Sequence, residues 1–324
     1  MWHRELLVGA ILFVSLGTIA AAAEDYQALI NRGGVVNLPA GVIEISEPLV
    51  PPRGQGLVLR GQGPGRTILK LTADLETMLT IEGKISEDGR LGNFAWWEVS
   101  NLTMDGDGHT ADAIRLHVAV LGKMDRVEII GFKGHAINAS QWWDSMLLDV
   151  HFAKCGEANT KKAAVVLKEP TLWKKANGEP CSPYDANCNN ISFIGCRFEA
   201  SNYTGLEMDE YATKNRFVSC KWHGTLAPLN QERQEPAPFD HVHMRGAYDN
   251  AFEACNLTNC GGSAVVLTKK CVDNSFTGCH IGNARRYGVE VHESEPPQGE
   301  ITWSTTGGKN RMGNSNVPLG KPRR

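Results

Sequence analysis

The stretch TKNRFVSCKW, residues 213–222, reads alone as a strand in which apolar and polar side chains alternate. Its phrasing recurs as NNISFIGCRF (189–198), YDNAFEACNL (248–257) and VDNSFTGCHI (272–281). Each copy carries Phe-x-x-Cys, at Phe193/Cys196, Phe217/Cys220, Phe252/Cys255 and Phe276/Cys279. With the cysteine as index, the copies stand 24, 35 and 24 residues apart. The same apolar pattern without cysteine continues upstream at Leu102, Val127 and Val150, at spacings of 25 and 23, and then 46, two periods, to Cys196. A period of about 24 residues with tolerated insertions is the signature of a stacked solenoid.

Each period holds a second short strand: AIRLH 113–117, AINAS 136–140, AVVLK 164–168, GLEMD 205–209, HVHMR 241–245, AVVLT 264–268 and GVEVH 288–292. Apolar residues alternate with polar ones at period two, so one face of each strand points inward. Two or three short strands per turn, separated by Gly and Asn, predict an all-β chain: a single-stranded right-handed parallel β-helix with turns ~4.8 Å apart. Phe and Cys then stack over their counterparts in the next turn, the cysteines as free core thiols. Asn215, Asn250 and Asn274 fall at the bend, where Asn accepts unusual backbone angles and bonds to local backbone. Glu169–Asn189 and Thr225–Asp240 become outer loops. Of the nine cysteines, Cys181 and Cys188 in the first insertion are the disulfide candidates.

Arg4, the apolar stretch Leu6–Ala20 and the small residues Ala21 and Ala23 form the pattern of a secretory signal peptide, with a membrane anchor as the alternative. The expected organisation is a signal at 1–23, a β-helix domain at 24–304 and a loose Gly-, Asn- and basic-rich tail at 305–324. An exported chain, secreted or periplasmic, follows, with no membrane attachment after cleavage, and a monomer is expected. The formal charge of −3 argues against a dedicated nucleic-acid or anionic-membrane binder, while a local basic patch suffices for an acidic sugar polymer.

INRGGVVNLPAGVIEISEPLVPP followed by LVLRGQGPGRTIL (residues 30–52 and 57–69) resembles the opening turns of right-handed parallel β-helix proteins of the pectate lyase-like superfamily. The resemblance extends from Asp25 to about Val291. It implies a site on the outer face of one parallel sheet, in a groove that holds a polysaccharide. The chain lacks the Asn-x-Asp, Asp-Asp and Gly-His-Gly set of polygalacturonases and the Asp-Pro-His of mannuronan epimerases. It also lacks a pectate lyase calcium aspartate cluster, so no cofactor and no metal are assigned. The pair His241-x-His243 could share a face toward a divalent ion, but a third ligand is not fixed by spacing.

The outward positions of the second strand are Arg115 and His117; Asn138 and Ser140; Val166 and Lys168; Glu207 and Asp209; His241, His243 and Arg245; Thr268; Glu290 and His292. Stacking brings Glu207 near His243, Asp209 near Arg245, and Lys168 to the other side of Asp209. The expected catalytic set is therefore His243, Arg245, Glu207, Asp209, His241 and Lys168. For a lyase on a uronic-acid polymer, Arg245 or Lys168 neutralises the substrate carboxylate and His243 takes the adjacent proton. Tyr248 or His241 then protonates the leaving oxygen. Arg115, His117, Asn138, Trp142, Trp143, Tyr248, Glu290 and His292 are expected to bind substrate, the tryptophans by stacking on sugar rings. Glu207 and Asp209, ~7 Å apart by strand rise, equally suit a glycoside hydrolase. A non-catalytic glycan binder or spacer, its outer face simply polar, is the remaining alternative. Of Trp96, Trp97, Trp142 and Trp143, one of each pair is expected to pack inward; Trp173 sits in the first insertion.

Overall fold

The computed structural model describes residues 25–53, 56–85, 91–168, 187–224, 239–268, 271–291 and 302–305. His292, Trp173, Cys181, the signal segment and the tail beyond residue 305 lie outside them. Every pairing in the two large sheets is parallel, and each strand pairs with the strand one turn above it. The sequence period is thus a turn of a right-handed solenoid. The helix Tyr26–Arg32 covers its N-terminal end, with Asp25 accepting from Ala28 N at 2.9 Å and Ile30 buried in the core.

The phrase that opened the reading forms the inner ladder. Phe193, Phe217, Phe252 and Phe276 are consecutive register partners. Their rings stack at centroid separations of 4.6, 4.5 and 4.6 Å, one strand spacing. Cys196, Cys220, Cys255 and Cys279 lie buried beside them as free thiols. Hydrogen bonds with neighbouring thiols, then burial, hold Cys220 and Cys279 above the ordinary thiol range. Cys188 is not placed for a disulfide. It sits inside the solenoid between Trp142 and Ala212, its thiol directed at Ala139 O. Burial pushes its pKa up to about 12.

The asparagines do not themselves take the unusual backbone angle. The residue before each does: Lys214 (φ 56°), Asp249 (56°) and Asp273 (53°). A second column of left-handed residues precedes the cysteines: Gly195, Ser219, Ala254 and Gly278. Single left-handed residues turn the chain sharply between strands. The asparagine side chains, all buried, then run up the inside of the bend. Asn215 N and Nδ2 donate to Asn250 Oδ1 at 3.0 and 3.1 Å, and Asn250 N and Nδ2 donate to Asn274 Oδ1 at 3.1 and 3.0 Å.

The second strand family forms its own sheet. Ile114, Ile137, Val165, Leu206, Val242, Val265 and Val289 are successive partners pointing inward, as read from sequence. The column one residue earlier is Ala113, Ala136, Ala164, Gly205, His241, Ala264 and Gly288, all but Ala113 at the bend rather than in the strand. His241 therefore does not face outward with His243. It is buried, its Nε2–H donating to Thr258 O at 2.9 Å, and its carbonyl packs so closely on Gly205 that a Cβ there would come within 2.8 Å of His241 O.

Burial lowers His241 to a pKa of about 4, from an ordinary 6.5. Above pH 6.5 the imidazole is neutral in both folded and unfolded chains. Between 6.5 and 4 only the unfolded chain takes the proton, so stability falls as pH falls through this window, by up to about 3 kcal/mol. Denaturant titrations at pH 7 and pH 4 are expected to show His241→Gln losing less stability on acidification than the parent; equal losses would place the acid sensitivity elsewhere.

Candidate functional site

The outer face of the second sheet carries the titratable groups in register. Arg115, Asn138, Val166, Glu207, His243, Val266 and Glu290 form one column. His117 and Ser140 pair directly in the next column, as do Arg245 and Thr268. Lys168 and Asp209 each follow a paired residue between them, Leu167 and Met208. Glu207 and His243 are direct partners on adjacent turns. This face is recessed: Val266 points outward yet is 2% exposed, and the Glu207 side chain is 19% exposed. Outward residues of a fully solvated sheet would be accessible, so neighbouring groups cover part of this face.

Arg245 approaches Glu207, not Asp209, with its guanidinium 4.0 Å from Glu207 Oε1 and half exposed. Asp209 instead accepts from Tyr211 N at 3.0 Å, a local turn that continues the chain out of the strand. Burial raises the Glu207 pKa, with Asp240 adding to the rise and Arg245 and Lys168 opposing it. Burial also raises Asp240, although Ser263 N and Arg286 donate to its Oδ1 at 2.8 and 2.7 Å. Arg286 also lies 3.6 Å from Glu290, which accepts from the Ser263 hydroxyl. The Tyr203 phenol is raised by burial and then by the Glu207 charge, and its ring rests on Phe239, centroids 5.0 Å apart.

On the other side of Glu207, burial lowers the Lys168 pKa, only partly offset by Asp112. Asp112 is buried and accepts from His135 N and Asn138 Nδ2 at 2.9 and 2.7 Å, with Lys162 Nζ at 3.8 Å. Arg115 bonds to Glu76, and His117 Nδ1 lies 3.4 Å from Glu82, itself bonded by Arg53. The structure thus brings Lys168, Glu207, His243 and Arg245 together and ranges Arg115, His117, Asn138 and Glu290 along the same face. His241 is removed into the core, so no His241/His243 metal pair exists.

Trp142 is also buried, with Trp97 at 6.3 Å and Phe193 at 6.1 Å between ring centroids, and its sheet partners Ala119 and Cys188 are small. It cannot stack on a sugar. Trp143 stays half-buried and donates through Nε1 to Asn187 Oδ1. Trp96 is 72% exposed and Trp97 buried, so one of each pair packs inward. Tyr248 is exposed but belongs to the next bend, bridging Thr213 and Val272 rather than the His243 column. Asp112, Tyr203, Asp240 and Arg286 were missed in the sequence. All four sit at or beyond the edge of the five-residue strands, where alternation no longer says which way a side chain points.

Ionised Glu207 is costly where it stands. Its folded pKa lies above the unfolded value, so this group favours the folded state at low pH and that benefit is lost as pH rises past the ordinary carboxylate range. At pH 7 Glu207→Gln is expected to raise Tm, as for an acid retained for chemistry. A lower Tm would mark Glu207 as a structural ion-pair partner.

A family model described as "Right handed beta helix region" matches residues 180–316. No curated protein matches the chain by sequence. Among solved structures, Geobacillus virus E2 ORF18 aligns with a TM-score of 0.65 at 17% identity, over 86% of this chain and 55% of that one. The chain thus spans about half the length of that phage protein. PfbA, a surface adhesin of Streptococcus pneumoniae, aligns with a TM-score of 0.60 at 12% identity, over 92% of this chain and 75% of that one. An alginate lyase from Paenibacillus sp. str. FPU-7 aligns with a TM-score of 0.54 at 12% identity, over 88% of this chain and 93% of that one. These likenesses concern the fold, and together with the register they make the chain a right-handed parallel β-helix protein.

Proposed function

We propose that the protein is an exported carbohydrate-active enzyme that cleaves a uronic-acid-containing polysaccharide by β-elimination on this outer face. The observation that carries the reading is the in-register meeting of Glu207 and His243 beside Arg245 and Lys168 in a recessed strip. Arg245, only loosely held by Glu207, is available to a substrate carboxylate, and neutralising that charge acidifies the adjacent carbon–hydrogen bond. His243 takes the proton. The electron pair left on carbon forms the new double bond as the bond to the glycosidic oxygen breaks. With His241 buried and Tyr248 on another bend, Glu207 is the group placed to protonate the leaving oxygen, since burial keeps its carboxyl protonated to higher pH.

Hydrolysis is the second reading, favoured by one observation: Glu207, raised by burial as an acid requires, and Asp240, bonded by Arg286, are two recessed carboxyls on this face. Incubation with a panel of acidic and neutral polysaccharides separates the two. Elimination is expected to give ultraviolet-absorbing unsaturated ends in step with new reducing ends. Reducing ends without the absorbance would replace elimination by hydrolysis, and binding without any product would make the protein a non-catalytic glycan binder.

A further inference from the structure

The cations on the recessed face are not evenly spread. In chain order the outward positions of successive turns are Arg115 and His117, Asn138 and Ser140, Val166 and Lys168, Glu207 and Asp209, His243 and Arg245, then Val266 and Thr268. Basic residues occupy the first, third and fifth of these turns. The second, fourth and sixth carry none. Turns of hydrogen-bonded strands rise by ~4.8 Å, so the basic turns repeat every ~9.6 Å along the solenoid axis.

Each pyranose of an extended polysaccharide advances the polymer by about one such turn, so the basic rungs meet every second sugar. The turns between offer amide, hydroxyl and carboxylate groups. Glu207 and Asp209 in particular offer hydrogen bonds to sugar hydroxyls, and the Asp209 carboxylate repels a second uronate. The counter-charges already present do not fill the comb. Glu76 pairs with Arg115, and Glu207 stands 4.0 Å from Arg245, yet among the described residues no ion pair engages the half-buried Lys168 ammonium.

We infer that the groove is phased for a polysaccharide in which an acidic sugar alternates with a neutral one, and not for a homopolymer of uronates. This deepens the proposed function and rests on it: the acidic sugar lies at the His243–Arg245 turn, where the proton is removed, and a neutral sugar lies over Glu207 and Asp209. Arg115 and Lys168 are then specificity determinants for the preceding acidic units.

The test is binding of the full chain, by calorimetry, to four unsulfated polymers matched in carboxylate concentration. Two alternate a uronate with a neutral amino sugar (hyaluronan and desulfated chondroitin), and two are homopolymers (polygalacturonate and polymannuronate). At least one alternating polymer is expected to bind roughly tenfold more tightly than either homopolymer. Ser140→Lys, which places a cation on an empty turn, is expected to narrow that gap by improving homopolymer binding. Equal or tighter binding of a homopolymer overturns the phasing while leaving an acidic-polysaccharide enzyme in place. Failure of all four to bind overturns the phasing together with the function it rests on.

Discussion

On a uronate polymer that the protein cleaves, His243→Ala is expected to lower kcat by about 10²–10⁴-fold, the usual contribution of a positioned base. Arg245→Ala is expected to lower kcat/KM by about 10²–10³-fold, since it removes a charge aimed at the developing enolate. The two should differ in character. Arg245→Lys retains the charge without the two-point grip and should recover part of the loss, whereas His243→Gln should recover none. Folding should survive both substitutions, because the two side chains point away from the core and, among the described residues, Glu207 alone faces Arg245 across an ion pair. Circular dichroism and Tm within a few degrees of the parent, with product formation measured by ultraviolet absorbance, check this. A His243→Ala protein with parental kcat would remove the imidazole from the mechanism.

The largest expected effect on stability comes from a residue with no part in chemistry. Asn250 is buried in the middle of the asparagine ladder. Its Oδ1 accepts from Asn215 N and Nδ2, and its Nδ2 reaches Ala212 O, Tyr248 O and Asn274 Oδ1, all between 3.0 and 3.1 Å. Asn250→Ala leaves Asn215 N buried without a partner, at about 1–3 kcal/mol before any relaxation, and takes one of two donors from each of Ala212 O, Tyr248 O and Asn274 Oδ1. A total loss of roughly 3–5 kcal/mol is expected, read as a drop in the midpoint of denaturant unfolding. Asn250→Asp should do no better. It keeps the acceptor but buries a charge among carbonyl oxygens. A near-parental Asn250→Ala would mean that water replaces the side chain inside the bend.

The Phe and Cys ladders were legible because a repeat superposes its own copies. Phe217 and Phe252 stand 35 residues apart in the chain and 4.5 Å apart in space, and nothing beyond the recurrence of the phrase was needed to pair them. The same alignment contained a signal that went unread. Set under one another, the first letters of the second strand are Ala, Ala, Ala, Gly, His, Ala and Gly. A column of small residues marks a crowded corner, and His241 belongs to it. Strict alternation had carried His241 outward because period two was extended one residue past the strand. Trp142 goes inward for a related reason: its neighbours up and down the sheet, Ala119 and Cys188, are small enough to leave room for an indole in the core, and they are distant in sequence.

By itself the sequence determined the solenoid, the register of its turns and the row in which Glu207 meets His243. A chain that buries one side of every short strand has only one way to superpose equal phrases. Tertiary structure alone decided which members of that row are recessed. It turned Arg245 toward Glu207 instead of Asp209, and it drew Asp240 and Tyr203 to the same carboxylate. Those outcomes depend on bends and on side-chain reach between turns. Hydrophobic alternation specifies an inside and an outside, and carries no information about how deep an outward group lies or which neighbour it faces.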